Sequence, residues 1–242
     1  MFIDMHCHIL PGLDDGADTM DEACELISQA CSSGSTIAVA TPHFNNISQG
    51  SVHCNKDRIV EMYKTLRDEV QKRNIPITLF LGSEILLDDS IDYLYKHDKL
   101  ITVNGSRYIL VEFNFNEKIE NVYLYIDKLL SFGLIPVIAH PERYLFYHDP
   151  IHDIYRMINS GCKIQINKDS PLGNYGTKAQ NLSINLLEND FVHMIASDCH
   201  NVNQRNADMG VIYSWLLERF KVEKITQLLH DNPKRILLDS EF

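Results

Sequence analysis

The chain is organised around its N-terminal stretch, Phe2-Ile3-Asp4-Met5-His6-Cys7-His8-Ile9-Leu10-Pro11-Gly12-Leu13-Asp14-Asp15-Gly16. Residues 2–5 predict a short buried strand. His6 and His8 lie two residues apart, so their side chains point the same way on an extended backbone. Two imidazoles at the end of a strand are a ready pair of metal ligands. A turn rich in glycine and aspartate then returns two carboxylates to the same region. Whether this is a metal site depends on the ligands that later strands deliver.

The composition of the 242 residues is that of an ordinary globular protein, with 45% in the hydrophobic class and 23% charged. That length is enough to bury a large core. The formal net charge of -11 argues against non-specific binding to nucleic acid or to anionic membranes. The same charge would repel a phosphorylated substrate unless bound cations or clustered arginines reverse the field locally.

The cysteines and the start of the chain bear on the cellular compartment. Six cysteines occur at irregular spacing, without a Cys-x-x-Cys pair. No basic-then-apolar leader opens the chain, and no stretch approaches the ~20 apolar residues that a membrane span needs. We therefore expect a cytoplasmic protein with reduced thiols, whose cysteines are mostly small core residues.

One pattern repeats along the chain: an apolar run rich in β-branched residues, a polar residue at its end, and an amphipathic helix. The predicted strands span residues 2–5, 36–41, 77–81, 108–111, 135–139, 163–166 and 193–196. Seven strands alternating with helices predict a parallel sheet. Because no linker or composition break interrupts the pattern, we expect one domain over residues 1–242. The sheet can be open and doubly wound or closed into a barrel, and polar residues at nearly every strand end favour the barrel.

The ends of these strands carry most of the acids and imidazoles of interest. They are His6, His8, Asp14 or Asp15, His43, Glu84, Glu112, His140, Asp198 and His200. So many groups crowded on one rim without cations would carry a severe charge and desolvation cost. They exceed the needs of one ion, so we expect two or three divalent ions. Imidazole mixed with carboxylate suits manganese, iron or zinc.

Six motifs carry a resemblance to a known family. They are His6-x-His8, Asp14-Asp15-Gly16, Thr41-Pro42-His43, Gly82-Ser83-Glu84, His140-Pro141-Glu142-Arg143 and Ser197-Asp198-Cys199-His200. Together they resemble the PHP (polymerase and histidinol phosphatase) superfamily. Within it, the chain is similar over essentially its whole length to the bacterial protein-tyrosine phosphatases of capsule and exopolysaccharide operons. The resemblance implies a distorted seven-stranded (β/α) barrel with a trinuclear site that is usually activated by manganese.

The resemblance also implies how the ligands are shared among three metal positions. The first is implied to use His6, His8, Glu84 and Asp198. The second takes Glu84 as a bridge, with Glu112 and His140. The third takes Asp15, His43 and His200, which leaves Asp14 as a turn residue or an orienting residue. Asp4, two residues before His6, is expected either to orient a ligand imidazole or to make a hydrogen bond at the start of the strand.

Two arginines follow metal-bearing segments directly and match arginines of the family pattern. Arg143 and Arg205 are therefore placed to bind a phosphate bidentately. The alternatives are a salt bridge between Arg143 and Glu142, and a solvated surface position for Arg205. Metal-activated water is the implied nucleophile. A tyrosyl phenolate, with a pKa of about 10, is a fair leaving group, so no general acid is assigned.

A cysteine mechanism is the alternative to metal catalysis. Residues Cys199 to Arg205 have the Cys-x5-Arg spacing of cysteine-dependent tyrosine phosphatases. Those enzymes cradle phosphate in a backbone loop that usually contains glycine, and this stretch has none. Cys199 also lies between two predicted ligands and should point away from them, so metal catalysis is favoured.

Three functions are consistent with the sequence. The first is a metal-dependent protein-tyrosine phosphatase, acting on the tyrosine-rich tail of a bacterial tyrosine kinase that controls polysaccharide synthesis. The second is a PHP phosphoesterase that acts on a small metabolite such as histidinol phosphate. The third is a catalytically silent, metal-dependent scaffold. Tyr144, Phe146 and Tyr147 are expected either to form a wall for a phosphotyrosine ring or to pack against the barrel. Lys168 is expected to be solvated, with phosphate binding as its alternative role.

Overall fold

The fold was analysed in a computed structural model that describes residues 1–45 and 55–242. Parallel strands alternate with helices along the chain. The strands are β1 (Phe2–Cys7), β2 (Ser35–Ala40), β3 (His43–Phe44), β4 (Thr78–Leu81), β5 (Glu84–Leu86), β6 (Tyr108–Glu112), β7 (Ile135–Ala139), β8 (Lys163–Asn167) and β9 (Met194–Ala196). The α/β class predicted from the sequence is therefore confirmed.

The helices cover the strands in the order that the amphipathic patterns predict. They are α1 (Met20–Ser32), α2 (Lys56–Lys72), α3 (Ile91–Lys96), α4 (Ile119–Ser131), α5 (Pro150–Asn159), α6 (Thr177–Glu188), α7 (Gly210–Leu217), α8 (Val222–Thr226) and α9 (Asn232–Leu237). Thr19 caps α1 by accepting a hydrogen bond from the backbone of Glu22. A π-helical segment, Gln227–Asp231, joins α8 to α9.

A closed seven-stranded barrel is not confirmed. The described strands form two parallel sheets, β1-β2-β4 and β3-β5-β6-β7-β8-β9. The second and third expected strands correspond to β2 and β4, and each is followed by a further short strand, β3 or β5, that joins the larger sheet. The change of sheet falls at Pro42, which has no backbone N–H to donate, and at Gly82-Ser83. A single bridge between Cys7 and Cys199 connects β1 to the segment after β9.

A bulge interrupts the register of β1 around His6. Asp4 lies opposite Ala38 and Cys7 opposite Ala40, so between these two pairs β1 has one residue more than β2. Ile3 and Met5 therefore pack in a small inner apolar cluster, while Cys7, two residues further on, packs in the main core. A bulge of this kind redirects the side chains that follow it.

No helix within residues 1–45 and 55–242 is long and apolar enough to cross a membrane.

We predict that Gly16→Ala destabilises the protein sterically. A Cβ at Gly16 would lie 2.2 Å from the carbonyl oxygen and 2.5 Å from the Cβ of His8. Backbone must therefore move, at a cost of about 2 kcal/mol in the free energy of unfolding, measured by urea denaturation. Gly210→Ala is the matched control, because its Cβ would meet only the side-chain oxygen of Asp208 at 3.0 Å. Equal stabilities for the two variants would contradict this packing.

Candidate metal centre

The fold brings the nine predicted ligands together at the carboxyl ends of the strands. They are His6, His8, Asp15, His43, Glu84, Glu112, His140, Asp198 and His200. All are buried except Asp15, which is exposed. Residues separated by almost two hundred positions thus share one site, as the parallel strand order requires.

Glu84 lies at the centre of the cluster. Its Oε2 is 3.1 Å from His6 Nε2, 3.3 Å from His8 Nε2 and 3.1 Å from His43 Nδ1. Its Oε1 is 2.8 Å from His140 Nε2. One carboxylate therefore faces four imidazoles, which is the arrangement expected of a bridging ligand.

Three groups within the cluster have ligand atoms that all lie within 4.8 Å of one another. They are His6, His8 and Asp198; His43, Glu84 and Glu112; and His8, Asp15, His43 and His200. The first and third groups follow the allocation implied by the resemblance, with His8 added to the third. The second group contains His43 where the resemblance implies His140. The detailed allocation stays a prediction.

The polar atoms of the cluster are poorly satisfied by the protein itself. His43 Nδ1, Glu84 Oε2, His140 Nδ1 and His200 Nε2 are buried and lack a hydrogen-bond partner within the described part of the chain. Leaving buried polar atoms without partners is unfavourable, and coordination to a cation removes that cost. Imidazole nitrogens and carboxylate oxygens are also a suitable donor set for divalent transition metals. The residues therefore fit a metal centre.

The electrostatics of the cluster keep two of its carboxylates, those of Asp198 and Glu84, ionised. Burial disfavours the carboxylate of Asp198, yet Arg205 and His6 hold its pKa well below its usual range. Burial likewise opposes ionisation of Glu84, but His6 and His43 hold its pKa well below the usual value. Because ligands must be deprotonated to bind a metal, both carboxylates are in the form that coordination requires.

Asp14 orients two histidines from behind. Its Oδ2 lies 2.8 Å from His8 Nδ1 and accepts a hydrogen bond of 2.8 Å from the backbone N–H of His43. Burial opposes the shift, but His8 lowers the pKa of Asp14 to about 2. Asp15, by contrast, faces the cluster, with Oδ1 3.4 Å from both His43 Nε2 and His200 Nε2.

Asp4 makes a backbone contact instead of holding a ligand ring. Its Oδ1 accepts a hydrogen bond of 2.9 Å from the N–H of Ser197. This bond connects β1 to the segment that carries Asp198. It agrees with the second expectation for Asp4, a hydrogen bond at the start of the strand instead of contact with a ligand imidazole.

Two supporting residues on β8 were missed by the sequence analysis. The Oε1 of Gln165 lies 2.9 Å from His6 Nδ1, and its Nε2 donates to Asn167 Oδ1 at 2.9 Å. The Nδ2 of Asn167 donates to Asp198 Oδ2 at 2.5 Å. The sequence does contain a signal for them: β8 has amide side chains at two alternate positions, and buried amides are almost always hydrogen-bonded to other groups of the protein.

Both arginines lie against the outer oxygen of Asp198. Its Oδ2 is 2.8 Å from Arg205 Nη2 and 3.4 Å from Arg143 Nη1. Glu142 instead accepts hydrogen bonds from the backbone of Asn167 and from Ser170 Oγ, so the structure does not favour the expected alternative pair of Glu142 with Arg143.

Left-handed backbone turns aim two of the site residues. His140 has φ 35° and Asp198 has φ 52°, at the ends of β7 and β9. Non-glycine residues rarely adopt this conformation, and where they do it often marks a functional site.

The remaining candidates are placed in supporting positions. Cys199 is fully buried in the apolar core. Tyr144 and Phe146 are also buried and stack on each other, with ring centroids 4.9 Å apart, and Tyr144 packs edge-on against His140 at 5.6 Å. Tyr144 and Tyr147 nevertheless line a groove beside Arg143, so the two expectations for these aromatic residues both stay open. Lys168 is buried and pairs with Asp169 Oδ2 at 3.1 Å, so the expectation of a solvated lysine is wrong.

Fold and site together define an α/β protein with a cluster of histidines and carboxylates whose chemistry fits a metal centre. Residues 2–238 match the model of the family described as "Capsular polysaccharide synthesis, CpsB/CapC". The chain belongs to this family, and the resemblance to bacterial capsule phosphatases is confirmed.

Curated relatives match along most of the chain. Tyrosine-protein phosphatase YwqE of Bacillus subtilis is 34% identical over 237 residues, covering 97% of this chain and 91% of that protein. Tyrosine-protein phosphatase CpsB of Streptococcus pneumoniae is 29% identical over 243 residues, covering 98% of each. Both of these relatives are named tyrosine-protein phosphatases.

Solved structures agree with this assignment. A crystal structure from work on YwqE and CpsB, called unique metal-dependent tyrosine phosphatases, has a TM-score of 0.88 and 30% identity, covering 99% of this chain and 96% of that one. A phosphotriesterase homology protein of Escherichia coli shares the fold at a TM-score of 0.62 and 11% identity, covering 97% of each chain.

We predict that Asp14→Asn weakens metal binding without unfolding the protein. In the wild type Oδ2 holds His8 and His43 while Oδ1 accepts from the N–H of Gly16. The amide carries no charge and has only one acceptor oxygen, so its NH₂ group must face one of these N–H donors. Loss of such a partner typically costs 10–100-fold in metal affinity. Calorimetric titration with Mn²⁺ measures the change. Asp18→Asn, an exposed residue of the same loop, is the control. Unchanged affinity in the Asp14 variant would show that Asp14 does not orient the ligands.

Proposed function

We propose that this protein is a metal-dependent protein-tyrosine phosphatase that hydrolyses phosphotyrosine on a protein of the capsule-synthesis machinery. The observation that carries the proposal is the position of Arg143 and Arg205, which both reach the carboxylate of Asp198 at the edge of the metal centre. Membership in the CpsB/CapC family, with relatives named tyrosine-protein phosphatases, supports the same function.

Two or three divalent ions are proposed for the centre, with Mn²⁺ as the proposed metal and iron or zinc as alternatives. The proposed ligands are the nine buried or rim residues of the cluster. The three groups of converging ligand atoms support three positions, with Glu84 and His8 close to more than one of them. When bound, the ions supply an activated water nucleophile and neutralise charge on the phosphoryl oxygens.

The side chains of the protein bind the phosphoryl group and hold the ligand rings in position. Arg143 and Arg205 bind the phosphoryl oxygens with charge-assisted hydrogen bonds, which aligns the phosphorus with the centre. Gln165 and Asp14 keep the rings of His6 and His8 in position. The tyrosyl oxygen leaves as a phenolate with a pKa of about 10, so a strong general acid on the protein is not required.

The surroundings of Arg143 support a substrate larger than a phosphate ion. Arg143 lines a groove of about 740 Å³ together with Phe115, Tyr147, Ile151 and Leu182. A groove of this size takes a drug-sized ligand, so a phosphotyrosine and adjacent peptide fit it. By the resemblance, the tail of a bacterial tyrosine kinase is the proposed protein substrate. A single domain over residues 1–242 and a cytoplasmic location stay predictions.

We expect activity to depend on metal and to favour phosphotyrosine. Turnover of a phosphotyrosine peptide and of histidinol phosphate is compared side by side before chelation, after chelation, and after reloading with Mn²⁺. Phosphotyrosine turnover should fall by at least a hundredfold on chelation and return on reloading. Full activity in metal-stripped protein would refute the metal mechanism. Preference for histidinol phosphate would instead indicate a small-metabolite phosphoesterase, and no turnover with tight partner binding would indicate a scaffold.

We expect Cys199→Ala to retain phosphatase activity. Cys199 is fully buried in the apolar core, where a thiolate nucleophile has no access to substrate. Activity of the metal-loaded variant, normalised to metal content, should stay within about threefold of the wild type, since a buried cysteine behaves as a small apolar residue. Complete loss of activity with normal metal content would point to a cysteine mechanism.

A further inference from the structure

Tyr175 stands between the two arginines of the site. It lies in the loop between β8 and α6, just before Gly176, which precedes the first residue of α6. Its side chain borders the groove that contains Arg143 and also a second cavity, of about 480 Å³, that contains Arg205. It is therefore part of the wall shared by the two cavities.

The ring of Tyr175 holds the guanidinium of Arg143. The Cζ of Arg143 lies 4.5 Å from the centroid of Tyr175 and 5.3 Å from that of Phe115. Both distances are within the range of a cation–π interaction. Two aromatic rings thus hold Arg143 at the edge of the groove, where its Nη1 also reaches Asp198.

The hydroxyl of Tyr175 has no partner for its hydrogen bond. Its oxygen is buried and unpaired within the described part of the chain, and the Nε of Arg205 is in the same condition. Burial, reinforced by the charge of Asp198, raises the pKa of Tyr175, so the hydroxyl keeps its proton and acts as a donor. A buried donor without an acceptor is unfavourable in a folded protein unless something binds there.

We propose that Tyr175 is a phosphate-binding residue, whose hydroxyl donates a hydrogen bond to the phosphoryl group held by Arg143 and Arg205. Its ring at the same time positions Arg143. The inference deepens the proposed phosphatase function and rests on it.

A neutral donor suits this position. Both guanidiniums are already attracted to Asp198, and a third cation there would compete for that carboxylate. A phosphoryl group offers several acceptor oxygens, and a hydroxyl can occupy one of them without changing the charge of the site. No covalent bond forms or breaks at Tyr175, and its proton stays on the phenol.

The test measures binding of inorganic phosphate to the full, Mn²⁺-loaded chain by calorimetry, so that it does not depend on turnover. Tyr175→Phe keeps the ring and removes only the donor, so the Kd for phosphate should rise roughly tenfold, as for loss of a hydrogen bond to a charged group. Tyr175→Leu should weaken binding further, because Arg143 also loses its stacking partner. In turnover of a phosphotyrosine peptide, Tyr175→Phe should raise KM more than it lowers kcat.

Tyr63→Phe is the control. Tyr63 lies on α2, outside both cavities, and its hydroxyl already donates to the carbonyl of Leu79 at 2.7 Å. Its Kd for phosphate should match that of the wild type, and melting temperature and metal content are measured for every variant. An unchanged Kd in Tyr175→Phe, at normal stability and metal content, would overturn the inference. Tyr175-dependent phosphate binding without phosphotyrosine turnover would uphold it while refuting the proposed function.

Discussion

The carboxylate of Asp198 joins the two halves of the site. One oxygen, Oδ2, receives Arg205 at 2.8 Å, Arg143 at 3.4 Å and Asn167 at 2.5 Å. The other, Oδ1, lies 3.5 Å from ring nitrogens of His6, His8 and His200. With Oδ2 occupied, only Oδ1 remains for a metal ion. The proposed metal centre and the two arginines proposed to bind phosphate are thus joined by one side chain, which is buried and aimed by a left-handed backbone turn.

That arrangement depends on where β1 and β9 meet. The N–H of Asp198 donates to the carbonyl of His6, and the N–H of His8 donates to the carbonyl of Cys199, both at 2.9 Å. Asp4 adds a third link through the N–H of Ser197. Because β1 and β9 touch through these few bonds and one bridge instead of a full ladder, the contact gathers ligands from the two ends of the chain without closing a regular barrel. This contact accounts for one of the two gaps in the ring expected from strand counting. The other lies where β2 and β4 end, at Pro42 and Gly82-Ser83, and β3 and β5 begin in the second sheet.

The sequence allowed prediction of the α/β class and of which residues meet, because strand ends in a parallel sheet share one edge whatever the details of closure. It did not allow prediction of local geometry. The bulge in β1 is invisible in the pattern of apolar residues, yet after it Cys7 packs in the main core while Ile3 and Met5 pack in the smaller cluster. Gln165 and Tyr175 were missed for another reason, since their roles depend on contacts across the fold with His6 and Arg143. The burial of Lys168 was not predicted, because nothing in the sequence indicates that this lysine and its neighbour Asp169 are buried together as an ion pair.

The shared fold also indicates where specificity must lie. A phosphotriesterase homology protein and a histidinol phosphate phosphatase of Lactococcus lactis share this architecture, with TM-scores of 0.62 and 0.53 at 11% and 14% identity. Similarity at that level establishes the fold alone, and one fold hosts many chemistries. A strand-end cluster selects for a class of reaction, because any phosphoryl group presents the same oxygens to it. The choice between a peptide and a metabolite must then fall to residues outside the cluster. The candidates in this chain are the aromatic and apolar side chains around Arg143, contributed by the loops after β6, β7 and β8 and by α5 and α6. Phe115 and Tyr175 join the two parts of the site, since they contact the arginine proposed to bind phosphate and also line the groove.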